Sequence, residues 1–152
     1  MVRLTMAVTI AFLLSHHRFE AVFLLSSVLN AAGIVYFVKS LVGRERPGLW
    51  APDLYWGSSF PSGHTLVVAA TGTALVLCLR RIWPTVRALP LSLAVAWIFL
   101  VALSRLVLGV HWPTDVLAAV CLGAGLPLAM SVALDLMATK APISLVPPQM
   151  DR

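Results

Sequence analysis

Four long stretches of the chain are uncharged and apolar almost throughout: Ala21 to Val38, Pro61 to Leu79, Ala88 to Ser104 running on towards Val110, and Val116 to Leu134. A helix needs about 20 such residues to cross about 30 Å of hydrocarbon. Backbone amides cannot go unpaired in lipid, and the chain lacks the alternating pattern of barrel strands, so these stretches predict helices. Leu4 to Ser15 is apolar too, but its 12 residues fall short of a crossing at about 1.5 Å per residue. Preceded by Arg3, it has the outline of a signal peptide, yet His16-His17-Arg18-Phe19-Glu20 offers no small-residue cleavage site. The expected fold is all-α, a polytopic transmembrane bundle of four full spans plus a short N-terminal apolar helix. It forms one membrane-embedded domain over residues 1–138, followed by a short disordered tail over residues 139–152 that holds Pro142, Pro147 and Pro148.

Composition strengthens the membrane assignment. Hydrophobic residues make up 60% of the 152 and charged residues 11%, against roughly 45 to 50% and roughly 25% in soluble domains. A soluble core this small cannot absorb the excess, which must face lipid; disordered, fibrous and nucleic-acid-binding classes are disfavoured on the same ground. The net charge of +5 comes from eleven scattered Lys and Arg residues with no run longer than Arg80-Arg81, so it marks no polyanion-binding patch. Cys78 and Cys121 sit inside apolar runs and match no redox or zinc spacing, which reads as buried, reduced packing.

Charge does separate two faces. If each segment crosses once, Arg44 and the connection from Arg105 to Asp115 share one side, while Arg18, Arg80, Arg81, Arg87 and Lys140 share the other. Positive-inside bias would draw both sets to the cytoplasm, but alternation of the spans forbids it. The loop with Arg80, Arg81 and Arg87 has no accompanying histidines or ordered glycines and reads as the topology signal. The other set then faces outward, at the outer face of the cytoplasmic membrane, and needs a functional reason.

Three polar blocks lie on that outer face, each at a helix end: Lys39 to Pro47, Pro61-Ser62-Gly63-His64, and Ser104 to Asp115. Lys39 and Arg46 are seven residues apart, two helical turns, so both can point into one space if the helix continues that far. As isolated residues Lys39, Arg44 and Arg46 would be snorkelling anchors, but three cations on the disfavoured side argue for a ligand. Pro61-Ser62-Gly63-His64 opens a helix, whose unpaired N–H groups and positive dipole end suit an anion. Ser62 adds a hydroxyl there, or simply caps the helix, and Gly63 permits close approach. His111 and Asp115, four apart at a helix start, let a carboxylate orient an imidazole. Arg105 ends a long apolar run and calls for an anionic partner.

Together these are cations, a helix N-terminus, two histidines and a carboxylate on one membrane face, which suits phosphoryl transfer: donors hold the phosphate oxygens, one histidine attacks in line, and the other protonates the departing oxygen. No metal cage is evident, since His16 and His17 fall on the opposite face, so neither a metal nor any other cofactor is expected.

The blocks resemble the signature of the type 2 phosphatidic acid phosphatase superfamily, which includes bacterial membrane lipid phosphatases and, more distantly, soluble vanadium haloperoxidases. Lys39, Arg46 and Pro47 match its first part, Pro61-Ser62-Gly63-His64 its second, and Ser104-Arg105, His111 and Asp115 its third. The resemblance implies that His111 is the nucleophile forming a phosphohistidine, that Asp115 orients it, and that His64 is the acid for the leaving group. Lys39, Arg46, Ser62, Gly63 and Arg105 would bind the phosphate, without a metal. It also implies six core helices, so that the first is expected to be absent here and the second clipped. Helices this apolar disfavour the haloperoxidase reading.

The resulting expectation is an integral-membrane phosphatase acting on a lipid phosphate or diphosphate, with undecaprenyl diphosphate as the first substrate, from the resemblance and the compact loop between Pro47 and Pro61. Phosphatidic acid and phosphatidylglycerol phosphate are the alternatives within the same chemistry. A catalytically silent lipid-phosphate-binding membrane protein and a phosphotransferase are the alternatives outside it. Trp50, Tyr55, Trp56 and Phe60 either line a lipid entrance or form an ordinary aromatic belt.

Overall fold

The computed structural model describes residues 2–49, 57–85 and 88–140. Among them are five helices: α1 (Val2–Leu14), α2 (Arg18–Val42), α3 (Gly63–Ile82), α4 (Ala88–Val107) and α5 (Pro113–Lys140). The last four are long and apolar enough to cross a membrane, and α1 is the short apolar helix that precedes them. The all-helical bundle expected from the charge-free runs is therefore observed.

Each long helix overruns at least one end of its uncharged window. α2 starts at Arg18 and carries Lys39 in its last turn, α3 ends on Arg80 and Arg81, and α5 has Asp115 in its first turn. Cations near a C-terminus and anions near an N-terminus complement the helix dipole, and long basic side chains reach out of the hydrocarbon. Charge-free length thus reports the apolar layer rather than the helix. At the far end α5 continues to Lys140, so residues 139 and 140, expected in the tail, are helical. The rest of that segment, 141–152, lies outside the described residues.

The bundle is organised around α3, which packs against α5, α4 and α2, while α1 packs on α2. Half of the apolar window of α3 is buried within the protein, whereas α4, packed against α3 on one side, has no fully buried residue. Where hydrocarbon surrounds the bundle, helices associate by close packing of small residues rather than by escaping water. Ala69, Ala70, Ala74, Ala119 and Ala31 are all fully buried. The tightest approach is at Gly123, where a Cβ would stand 2.4 Å from the Leu66 carbonyl oxygen and 2.8 Å from Ala69 Cβ. α5 therefore lies directly on the backbone of α3 there.

At the end of the bundle away from the polar blocks, Glu20 is buried and links α2 to α3: its Oε1 lies 3.5 Å from Arg81 Nε. The Arg81 guanidinium also sits 4.1 Å from the Phe19 ring centroid. Arg81, read from sequence as topology signal, is thus also a tie between two helices; Arg87 lies outside the described residues. Cys78 is buried beside Glu20 as expected, with its Sγ 3.7 Å from the Glu20 carbonyl oxygen. Cys121 is exposed on the bundle surface, contrary to expectation, because its position on α5 turns away from α3.

Candidate active site

The polar blocks come together at one end, starting with a helix that stops. α2 ends at Val42, and Gly43 takes the left-handed conformation (φ 59°) that a side chain disfavours, so the chain turns away. Lys39 and Arg46 therefore do not share two turns of one helix, as the spacing suggested. Arg46 returns by another route: its Nη1 donates to the Val110 carbonyl oxygen at 2.9 Å and its Nε to that of Gly57 at 3.2 Å. Lys39, still on α2, donates from Nζ to the Ser58 carbonyl oxygen. The two segments are joined further by the Ser59 N–H donating to the Arg44 carbonyl oxygen at 2.7 Å and Ser59 Oγ to that of Glu45 at 2.9 Å.

Those contacts deliver the chain to the start of α3. Ser62 occupies the N-cap position but makes no side-chain bond to the helix backbone; its Oγ pairs with Thr65 Oγ1 at 3.0 Å, fully buried. Its N–H donates to the Asp115 carbonyl oxygen at 3.2 Å, tying the first turns of α3 and α5 together. A Cβ at Gly63 would come within 3.1 Å of Val35 Cγ1, so glycine lets α2 press against the helix start. His64 is exposed at the rim, within electrostatic reach of Arg105, Lys39 and Arg46. The three sequence blocks, distant along the chain, are one cluster.

His111 lies at its floor. The sequence suggested that His111 and Asp115 share a helix face, but α5 begins at Pro113, so His111 sits in the turn ahead of it. They approach because Asp115 folds back: its Oδ2 accepts the Trp112 N–H at 2.9 Å while its own N–H donates to the Trp112 carbonyl oxygen at 3.0 Å. The first contact is one half of a capping box, with an aspartate in the third helical position accepting the N–H of the capping residue, and the second is a backbone turn. Oδ2 lies 3.6 Å from His111 Nδ1, beyond a hydrogen bond. That Nδ1 is buried without a hydrogen-bond partner. Burial first, then the positive charge of Arg46, holds the imidazole down to about 4, with Lys39 adding to the lowering and the Ser59 backbone and Asp115 opposing it. At neutral pH the ring is therefore uncharged, the form in which an imidazole can act as nucleophile or base.

The residue missing from the sequence-based site is Arg44. Its Nη1 donates to Asp115 Oδ1 at 2.8 Å and to Thr114 Oγ1 at 2.7 Å, and its guanidinium lies 5.4 Å from the centroid of the Trp112 ring. Its outward charge was the one available signal, and nothing in its spacing distinguishes it from an anchor. Trp112 in turn donates from Nε1 to the Glu45 carbonyl oxygen at 3.1 Å. Arg105, at the end of α4, donates from Nε to Ser104 Oγ at 3.2 Å. Among the described residues, no three His, Cys, Asp or Glu side chains gather as a metal cage. Of the loop aromatics, Phe60 is partly buried and Trp50, Tyr55 and Trp56 lie outside the described residues.

The family model described as the PAP2 superfamily matches residues 20–135. Phosphatidylglycerophosphatase B of Escherichia coli strain K12 is 40% identical over 63 residues, covering 41% of this chain and 24% of that protein. Decaprenylphosphoryl-5-phosphoribose phosphatase of Mycobacterium tuberculosis is 40% identical over 98 residues, covering 62% of this chain and 50% of that protein. The match thus spans between about a quarter and half of these curated relatives. The crystal structure of a transmembrane PAP2-type phosphatidylglycerolphosphate phosphatase from Bacillus subtilis shares the fold with a TM-score of 0.79 at 23% identity, covering 93% of this chain and 71% of that one.

Proposed function

Because the chain belongs to the PAP2 superfamily, we propose that it is an integral-membrane phosphatase that removes a phosphate from a lipid phosphate or diphosphate through a phosphohistidine on His111. One observation carries the reading. Arg44–Asp115, Arg46–Val110 and Ser62–Asp115 contacts draw the ends of α2, α3 and α5 around a buried, neutral imidazole with an exposed second histidine at the rim.

The reaction follows from that placement. His111 Nδ1 faces Asp115, leaving Nε2 to attack phosphorus in line; the bond from phosphorus to the leaving oxygen breaks as the N–P bond forms, and the imidazolium is stabilised by Asp115. His64, exposed to the entering substrate, gives its proton to the leaving oxygen and then takes one from the water that hydrolyses the phosphohistidine. Lys39, Arg46, Arg105, the Ser62 hydroxyl and the first-turn N–H groups of α3 from Gly63 onward bear on the phosphate oxygens, with Gly63 permitting close approach. The donor set itself neutralises the developing charge, so the reaction is read as metal-independent.

Undecaprenyl diphosphate is the first substrate, supported by the short run of sequence between Pro47 and Pro61 and by the mycobacterial relative, whose name describes another polyprenyl-linked phosphate. The Escherichia coli relative and the Bacillus subtilis structure favour phosphatidylglycerol phosphate as the second. The reading sets the site at the outer face of the cytoplasmic membrane, supported by the basic Arg80–Arg81 end, which positive-inside bias favours as the cytoplasmic one. The test is release of inorganic phosphate by the purified protein from undecaprenyl diphosphate, phosphatidic acid and phosphatidylglycerol phosphate in micelles containing EDTA. Turnover is expected for at least one lipid, with loss in His111→Ala; silence on all three, or undiminished activity in His111→Ala, overturns the reading.

A further inference from the structure

The buried carboxylate beside His111 is held by Arg44, a residue inside the first block that the signature leaves unspecified. Asp115 is fully buried, and its two oxygens are divided: Oδ2 accepts the Trp112 N–H and faces His111, while Oδ1 accepts from Arg44. A carboxylate with one oxygen committed to a backbone amide can still pivot about that bond. The guanidinium on the other oxygen removes the freedom, because Arg44 is itself fixed by Thr114 Oγ1 and by the face of Trp112. A buried carboxylate without such a partner is costly.

We propose that Arg44 is a positioning residue: by holding Asp115 Oδ1 it turns Oδ2 towards His111 Nδ1, and it acts on the reaction through Asp115 rather than by binding substrate. This rests on the reading of His111 as the nucleophile. Arg44 reaches Asp115 from the segment that Gly43 releases after α2, across 71 residues of sequence, so the left-handed turn serves to bring it there. The charged groups acting on His111 are Arg46 and Lys39, from and beyond α2, and Asp115 from α5, while the loop before α3 presents the backbone of Ser59. Arg44 counterbalances Asp115. Removing its charge takes a cation away from the Asp115–His111 pair, so the imidazolium is less disfavoured and His111 should take up a proton at higher pH.

The experiment uses the full chain in detergent micelles with short-chain phosphatidic acid and the substrate lipids above as probes, and compares wild type, Arg44→Gln, Arg44→Lys, Thr114→Val, Asp115→Asn and the Arg44→Gln/Asp115→Asn double variant. Arg44→Gln is expected to lower kcat about 10- to 100-fold, the usual cost of losing a partner that orients a reacting group, with KM nearly unchanged and the acidic limb of the pH profile moved upward. Arg44→Lys should recover part of kcat, and Thr114→Val, which loosens Arg44 without touching Asp115, should give a smaller change in the same direction. In the Asp115→Asn background, Arg44→Gln should cost far less than it does alone, since coupled sites are not additive. Nitrogen-15 NMR titration of His111 reads the same effect without turnover, and should move upward in Arg44→Gln. A raised KM at constant kcat, an unmoved His111 titration, or full additivity in the double variant overturns the role of Arg44. Inactive wild type, or active His111→Ala, instead overturns the functional reading beneath it, and the NMR arm still decides whether Arg44 acts on His111 through Asp115.

Discussion

Asp115 Oδ2 stands 3.6 Å from His111 Nδ1 and 2.9 Å from the Trp112 nitrogen, so one carboxylate oxygen both starts a helix and faces the imidazole. The proximity is a by-product of helix capping. Because the same contact fixes the first turn of α5, the orientation of His111 and the folding of that turn depend on one side chain.

Asp115→Asn keeps the shape of the side chain but removes the charge that stabilises an imidazolium. A fall in kcat of about 100-fold or more is expected, in line with the loss of orienting carboxylates elsewhere. Steady-state phosphate release measures it; a variant keeping more than half of the wild-type kcat would show that the carboxylate serves only as a cap.

The pH dependence has a defined sign. Burial and Arg46 depress the His111 pKa to about 4, so the imidazole proposed as nucleophile is neutral above that region and the acidic limb of kcat/KM should lie well below the usual histidine range. Arg46→Ala removes a cation that disfavours the imidazolium, hence the pKa rises and the limb shifts to higher pH. Profiles of the two proteins with superimposable acidic limbs would refute this.

Gly123→Val places methyl groups where Leu66 O and Ala69 Cβ already stand. Overpacking of this kind costs about 1 to 3 kcal/mol, and here the obstacle is backbone, which cannot rotate aside. Thermal unfolding in detergent should show a lowered Tm, whereas an unchanged Tm would mean that α3 and α5 are not in such close contact.

Arg81→Gln breaks the contact with Glu20 at the end away from the site. Arg81 is 58% exposed, so the loss in stability should be small. Phosphate release should stay within about twofold of wild type, since this end bears none of the reacting groups. A strong loss of turnover with an unchanged Tm would contradict the separation of the two ends.

Legibility differed from element to element. The four spans were readable because lipid tolerates almost no charge, which leaves long gaps between Lys, Arg, Asp and Glu, but helix ends were not, because Lys39, Arg81 and Asp115 extend helices past those gaps. Lys39, His64, Arg105 and His111 were each recognisable as polar groups at helix ends. That Arg46 would arrive by a turn rather than along α2 depended on a left-handed Gly43, and glycine alone does not announce its φ.

The sequence by itself determined the helical class, the number of spans and the chemical types gathered at their ends, since these follow from the contrast between hydrocarbon and water acting residue by residue. Only the tertiary structure decided which of those groups meet. Arg44 and Asp115 are joined across 71 positions because α2 stops at Gly43 and α5 lies on α3, and such a contact depends on the packing of three helices rather than on any local pattern.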